Sequence, residues 1–446
     1  MKMTKRVSRP IKIVVVNALI LFILLELGSA AFYYWQTREF FYTRDRSQDR
    51  YASKFVHVAI RHDEAIFYRL HPYFGYTYKP GFHPTLTALA ANSDGFVSLY
   101  DYPFKKKNEN QYIVGIFGGS VAQYFAMYEF DHHSLANYLR KLPGLQNKEI
   151  IILNFALPGG KQPQQALILS YFLSLGQDLD LVINLDGFND VYHAARNNKH
   201  LVDVPMPASS FELPLLEIAN NDLSPEEANL VLSILQDKER LKSLLVDATQ
   251  CKLASSYLLR ALQIKHYTSV YESHRIEFSQ AAQESSKQRK QDPVIRINRV
   301  DSPLEDEALY QKAAAIWVNS SIAMSNMLAT RNVPYLHFIQ PNQYYSTDRK
   351  FGEQERRIAF TQNGESEYRD SISKGYPILL AKMAELKNSH VAVFSAVSIF
   401  DDIKDPVYFD DCCHYNGAGN EILAQFIGSQ IRSVLEQNPP PVSPKR

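Results

Sequence analysis

The sequence predicts an α/β protein: a three-layer α/β/α sandwich on a five-stranded parallel sheet, split by a helical insertion and preceded by one membrane-spanning helix. Three observations carry this expectation. Short apolar, β-rich runs alternate with helical segments, as in strands covered on both faces by crossover helices. That alternation stops after Tyr192 and resumes near Glu305. A single apolar run lies near the start, from Ile13 to Trp35, while the mean hydropathy of −0.26 excludes a polytopic chain.

The apolar run is 23 residues long, enough to cross a hydrocarbon core of ~30 Å at about 1.5 Å per residue. Lys2, Lys5, Arg6, Arg9 and Lys12 precede it, and Tyr33, Tyr34 and Trp35 close it as an interfacial aromatic anchor. Residues 1–12 are therefore expected as a cytoplasmic basic tip and 13–35 as the anchor, with the rest of the chain outside the cytoplasm. Glu26 falls inside the span, where a charge is costly. Cleavage after the small residues Ser29-Ala30-Ala31 is the rival reading. The run is longer than a usual signal-peptide core, and bulky aromatics follow it at once.

Residues 36–66 are charged and read as a juxtamembrane stalk. Residues 67–111 carry Pro, Gly and Tyr punctuation without a long helical pattern, which suggests an irregular cap or short strands. Strands follow at Tyr112–Phe117, Glu149–Phe155 and Leu179–Leu185, with helices at Val121–Leu142 and Gln164–Leu175, the second stopped by Gly176. Residues 195–300 are read as a helical insertion. Within it, Ser224-Pro225-Glu226-Glu227 forms a capping box ahead of a leucine-rich helix. Later come a helix at Glu305–Ala329, a strand at Pro334–Ile339, a helix at Ile372–Asn388, a strand at His390–Phe394 and a helix at Gly417–Leu435. Residues 436–446 read as a disordered tail.

Charge and cysteine content exclude several classes. Lys plus Arg is 48 against 47 Asp plus Glu, so nothing points to nucleic acid as a partner. Five of those basic residues lie in the tip, so the remainder is mildly acidic. Three cysteines are too few for a disulfide scaffold, although Cys251 pairing with Cys412 or Cys413 is left open. No metal and no cofactor is expected, because no further Cys or His spacing accompanies Cys412-Cys413, and His132-His133 lacks partner ligands.

Open α/β sheets place their sites beyond the carboxyl ends of the strands. The segments there are Gly118-Gly119-Ser120, Asn154 through Gly160, and Gly187-Phe188-Asn189-Asp190; Asp411-Cys412-Cys413-His414 precedes the last helix. They supply a hydroxyl, glycine backbone, a side-chain amide and a histidine with a nearby carboxylate, which are the parts for acyl transfer by an activated serine. Asp186 and Asp410 are read as structural or solvated, and Pro341-Asn342-Gln343-Tyr344 as a segment lining the cleft.

Together these four segments resemble the SGNH/GDSL hydrolase superfamily over about residues 112–435, insertion excluded. Gly118–Ser120 is similar to block one, Asn154–Gly159 to block two, Gly187–Asp190 to the GxND of block three, and Asp411–His414 to the DxxH of block five. The resemblance implies a flavodoxin-like SGNH domain over residues 67–435. It implies Ser120 as nucleophile, His414 as general base and then acid, and Asp411 as the carboxylate that orients the imidazole. The implied oxyanion hole is the Ser120 and Gly159 backbone N–H groups with the Asn189 amide. One departure is visible: glycine stands at position 119 where the family usually has aspartate. Tyr73–Tyr76, Lys79-Pro80-Gly81 and Asn92–Phe96 resemble the lead-in of membrane-anchored bacterial SGNH proteins.

The expected function is a serine esterase or O-acyltransferase on an acylated cell-envelope or exported polysaccharide, held at a bacterial inner membrane with its catalytic domain outside. The alternatives are a non-catalytic scaffold or glycan-binding protein on the same fold, and a lipase or phospholipase.

Overall fold

The computed structural model describes residues 9–43, 67–84, 89–212, 215, 223–288, 298–360 and 365–437. Most of the expected stalk, the cytoplasmic tip before Arg9 and the tail beyond Gln437 lie outside these residues. The chain divides into two compact units: Met1–Glu64 with Glu217–Val294, and Ala65–Leu216 with Ile295–Arg446.

The second unit holds the sheet. Its elements are β1 (Tyr68–His71), β2 (Gly75–Tyr78), β3 (Gln111–Gly118), α2 (Ser120–His132), α3 (Ser134–Leu139), β4 (Glu149–Asn154), α4 (Gln164–Ser174), β5 (Leu181–Asp186), α5 (Phe188–Lys199), α8 (Asp306–Ala329), β6 (Tyr335–Ile339), α9 (Glu353–Ala359), α10 (Glu365–Asn388), β7 (Ala392–Ser395) and α11 (Gly417–Gln437). The numbers α1, α6 and α7 belong to helices of the first unit. Strands β3 to β7 form one parallel sheet in the order β4-β3-β5-β6-β7. Helices α2, α3 and α11 pack together on one face, and α4, α5, α8 and α10 on the other. This is the three-layer sandwich the alternating pattern predicts. Every residue of β5 is buried, as a central strand covered on both faces requires.

Two expectations about elements change. The helix predicted over Val121–Leu142 is two helices. His133 takes a left-handed conformation (φ 55°), and the Glu129 carboxylate, one turn back, accepts the Leu135 and Ala136 N–H groups that open α3. The insertion was expected from residue 195, but residues 195–216 belong to the second unit. There Asn197 ties α5 to the following turn, its amide donating to the Met206 and Pro207 carbonyls while its oxygen accepts the Ser209 N–H.

The core under β5 and β6 contains a buried polar chain. Trp317 Nε1 donates to Asp186 Oδ1 at 2.8 Å, His337 Nε2 lies 2.8 Å from the same oxygen, and Ser321 Oγ is 2.8 Å from His337 Nδ1. Asp186, Trp317, Ser321 and His337 are all buried. With Nε2–H donating to the carboxylate, Nδ1 accepts the serine hydroxyl, so each partner completes the next. Asp186 is thus structural, as expected.

The first unit is helical: α1 (Arg9–Thr37), α6 (Pro225–Gln250) and α7 (Ala254–Gln288). The Ser224 capping box forms, with Glu227 N–H donating to Ser224 Oγ at 3.1 Å and Ser224 N–H to Glu227 Oε2 at 2.6 Å. Helices α6 and α7 make a hairpin, and α1 packs on α7. Their shared core is Tyr33, Phe41, Leu241, Leu244, Ala248, Ala254, Tyr257, Ala261, Ile264 and Tyr271. Helix α1 is long and apolar enough over Ile13–Thr37 to cross a membrane, and every side chain from Ile13 to Leu25 is exposed.

Replacing Ser321 with Ala leaves the buried His337 Nδ1 without its donor, and urea unfolding is expected to show a loss of about 1–3 kcal/mol.

Candidate active site

The parallel ladder brings three chain segments to one sheet edge. Ser120 opens α2, directly after β3. Its hydroxyl lies 2.7 Å from His414 Nε2, although the two residues are 294 positions apart. His414 Nδ1 is 2.6 Å from Asp410 Oδ2. Hydroxyl, imidazole and carboxylate therefore form one continuous line.

The carboxylate in that line is Asp410, which corrects the expectation of Asp411. The reason lies in the loop. Asp410 Oδ1 faces the backbone N–H groups of Cys412, Cys413 and His414, at 2.9, 3.2 and 3.3 Å. This tight turn brings the fifth residue, His414, back over the first. Asp410 and His414 are both buried. Three donors on one oxygen fix the orientation of the carboxylate, leaving the second oxygen for the imidazole. The backbone carbonyl of Asp411 accepts instead from Tyr344 O–H, at 2.7 Å.

Further contacts hold this loop. Gln343 Nε2 donates to the Asp410 carbonyl at 3.3 Å, and Tyr415 O–H to the Pro341 carbonyl at 2.6 Å. The Pro341–Tyr344 segment thus supports the histidine loop from behind β6. Asn416 Oδ1 accepts the Gly419 N–H at 3.0 Å and caps α11 just beyond the histidine. The imidazole is flanked by Tyr124, with ring centroids 4.5 Å apart, and by Phe409 at 5.7 Å.

Cys412 and Cys413 lie between the aspartate and the histidine, with their sulfurs 3.2 Å apart. Cys251 Sγ contacts the Asp247 carbonyl in its own helix at 3.3 Å. Among the described residues, Cys412, Cys413 and His414 have ligand atoms close enough to share a metal ion. Both nitrogens of His414 already face Ser120 and Asp410, so an ion there would compete with that line.

Of the expected oxyanion donors, the Asn189 amide lies against Gly119, next to Ser120. Asn189 Nδ2 donates to the Gly160 carbonyl at 3.0 Å, which leaves its second N–H for another acceptor. A Cβ at Gly119 would sit 2.0 Å from that same nitrogen. The Asn189 amide occupies the space a side chain at 119 would need, which accounts physically for glycine where aspartate is usual. Gly159 has φ +69°, and a Cβ there would lie 2.5 Å from the Phe211 ring, so only glycine fits this turn.

Residues to which the sequence assigned no individual role hold this region in place. Asp190 accepts from Gln162 N–H at 2.8 Å and from Gly187 N–H at 3.1 Å, joining the second and third segments. Tyr76 O–H donates to the Pro158 carbonyl at 2.7 Å, Tyr102 O–H to the Asn154 carbonyl at 2.8 Å, and Asn154 Nδ2 to the Val97 carbonyl at 3.0 Å. The upstream cap is therefore the wall behind the Asn154–Gly160 loop. The GxND pattern singled out Asn189, and the aspartate beside it was the available signal for the tie.

Buried charge collects behind this loop. Lys161 is buried, and its Nζ donates to the Val204 carbonyl at 2.5 Å. Burial lowers the Lys161 ammonium and raises the Asp190 carboxyl, which the Asp186 charge also pushes up. Burial pushes Glu212 up to about 7, against the pull of Lys161.

The chain matches no protein-family profile and no curated protein. Among solved structures it is similar to a protein from Bacteroides fragilis described as an acylhydrolase, with 8% identity, 74% of this chain and 90% of that chain covered, and a TM-score of 0.33. It is also similar to a GDSL-like lipase from Bacteroides thetaiotaomicron, with 10% identity, 74% and 92% covered, and a TM-score of 0.32. At these values the likeness adds no weight to the site. The five-stranded parallel sheet and the contact of Ser120 with His414 beyond its strand ends stand on the geometry alone.

Glu212 sets a pH dependence of stability. Its folded value lies above its ordinary 4.5, so the stability it contributes is complete below about pH 4.5 and is lost as pH rises through about 7. The loss amounts to roughly 3 kcal/mol at pH 8. Glu212→Gln is expected to narrow the difference in urea-unfolding free energy between pH 5 and pH 8.

Proposed function

We propose that this protein is a serine esterase or O-acyltransferase that works through an acyl-enzyme on Ser120. The observation that carries the reading is the unbroken line from Ser120 Oγ through His414 to Asp410, at 2.7 and 2.6 Å.

In this reading Ser120 Oγ attacks the carbonyl carbon of an ester, and its proton passes to His414 Nε2. The Asp410 carboxylate accepts the Nδ1–H, keeps the ring in that tautomer and stabilises the imidazolium. The tetrahedral oxyanion is met by the Ser120 and Gly159 N–H groups and the free N–H of Asn189; losing one such donor typically costs about 10²–10³ in rate. The imidazolium returns its proton to the departing alcohol as the C–O bond breaks. Water or a second hydroxyl then enters by the same route, which gives hydrolysis or transfer respectively.

Helix α1 would anchor the enzyme in the inner membrane of a bacterium, with the basic tip in the cytoplasm and the catalytic unit outside. An acylated cell-envelope or exported polysaccharide is the substrate that fits this placement. An acetylated glycan offered with and without a hydroxyl acceptor separates the two outcomes of the second step.

A fluorophosphonate probe tests the nucleophile on the full chain. Wild type is expected to be labelled and Ser120→Ala not; unlabelled but folded wild type would leave a non-catalytic binding protein. Asp410→Asn is expected to slow ester turnover by about 10³–10⁴, while Asp411→Asn stays within about tenfold. The reverse order would restore Asp411 as the orienting carboxylate.

A further inference from the structure

Glu26 is the one acidic residue within the apolar Ile13–Trp35 run, and its carboxylate is fully occupied. It accepts the Ala254 N–H at 2.5 Å, the Ser255 N–H at 3.1 Å, and the Ser255 and Tyr42 hydroxyls, each at 2.5 Å. The two backbone donors are the first N–H groups of α7, which no carbonyl within that helix can take. Tyr33 packs against Tyr257 with ring centroids 5.3 Å apart, and Phe41 against the same ring at 5.4 Å. Helix α7 therefore starts at the height of Glu26 and runs toward the carboxyl end of α1. The connection between α6 and α7, Cys251 to Leu253, lies at that starting height.

We propose that the tip of the α6–α7 hairpin is immersed in the lipid bilayer beside α1, with Glu26 as the group that fixes its depth. This rests on the reading of α1 as a membrane anchor. A hydrocarbon core of ~30 Å takes about 20 helical residues, so one that begins at Ile13 ends near the Tyr33–Trp35 aromatics. Glu26 lies nine residues before Trp35, a rise of about 13 Å. The start of α7 then sits roughly 10 Å inside the apolar layer, near the depth at which interfacial helices settle.

The tip has the composition for that position. Val246, Leu253, Leu259 and Leu262 are 55, 41, 57 and 57% exposed, and α1 presents its own exposed apolar surface next to them. The charges at that level are contained: Asp247 pairs with Arg260 at 3.6 Å, and Lys252 has a stem long enough to carry its ammonium toward the headgroups. The immersion also explains an acid inside an apolar helix. Burying a carboxylate in lipid costs several kcal/mol without partners; the hairpin supplies three donors and Tyr42 a fourth.

Depth-dependent quenching tests this on the full chain in nanodiscs containing brominated acyl chains. The only tryptophans are Trp35 and Trp317, and Trp317 is buried in the core and gives a constant background. In a Trp35→Phe background, Leu253→Trp and Leu259→Trp are expected to lose at least half of the added emission. Leu232→Trp, exposed on α6 and 18 residues, about 27 Å, before its end, is expected to lose under a tenth. Quenching of native Trp35 with none at position 253 would overturn the proposal and leave the anchor standing. Absence of quenching at both would overturn the two together, and equal quenching at 232 and 253 would overturn the assigned depth.

Discussion

The parallel hydrogen-bonded ladder through β3 and β5 is the constraint on which the rest of the second unit depends. Pairing Ile116 with Asn154 and Gly118 with Leu185 sends three strands out at the same end of the sheet. The chain must leave the sheet there three times, and each exit carries a polar segment. Because parallel strands need long crossovers, residues hundreds of positions apart arrive at this edge together. Ser120 and His414 meet for this reason, and the separation between them costs the site nothing in precision.

That precision comes from backbone atoms held by side chains. The Asp410 carboxylate gathers three N–H groups and so shapes the loop that returns His414 to it. Asp190 does the same between the second and third segments. Tyr76 and Tyr102 reach carbonyls of the Asn154–Gly160 loop from the upstream hairpin region. The atoms of the candidate site thus sit on turns that are over-determined by buried hydrogen bonds, as a preorganised site requires.

The first unit solves a different problem with the same means. An acid within an apolar helix needs donors, and a helix start needs an acceptor; Glu26 and α7 complete each other. The near-zero net charge of the chain has a local meaning here. The basic residues gathered before Ile13 and the mildly acidic remainder cancel in the sum while differing along the sequence.

Much of this was legible in the residues themselves. Apolar periodicity located all five strands of the parallel sheet within two residues at each end, because strands buried on both faces have little compositional freedom. The pairing of Ser120 with His414 was expected from the resemblance of four segments to a known family, three at strand ends and one before the last helix, and the two side chains do meet. The choice between Asp410 and Asp411 was not legible. Both are aspartates before the same histidine, and only the turn that folds Asp410 under three N–H groups decides which carboxylate faces the ring. The break at His133, the crowding that demands glycine at 119 and the donors around Glu26 likewise depend on atoms distant in sequence. The sequence by itself determined the layers and the chemical parts. The tertiary structure decided which oxygen meets which nitrogen, because hydrogen bonds select on angles and tenths of an ångström that no residue pattern encodes.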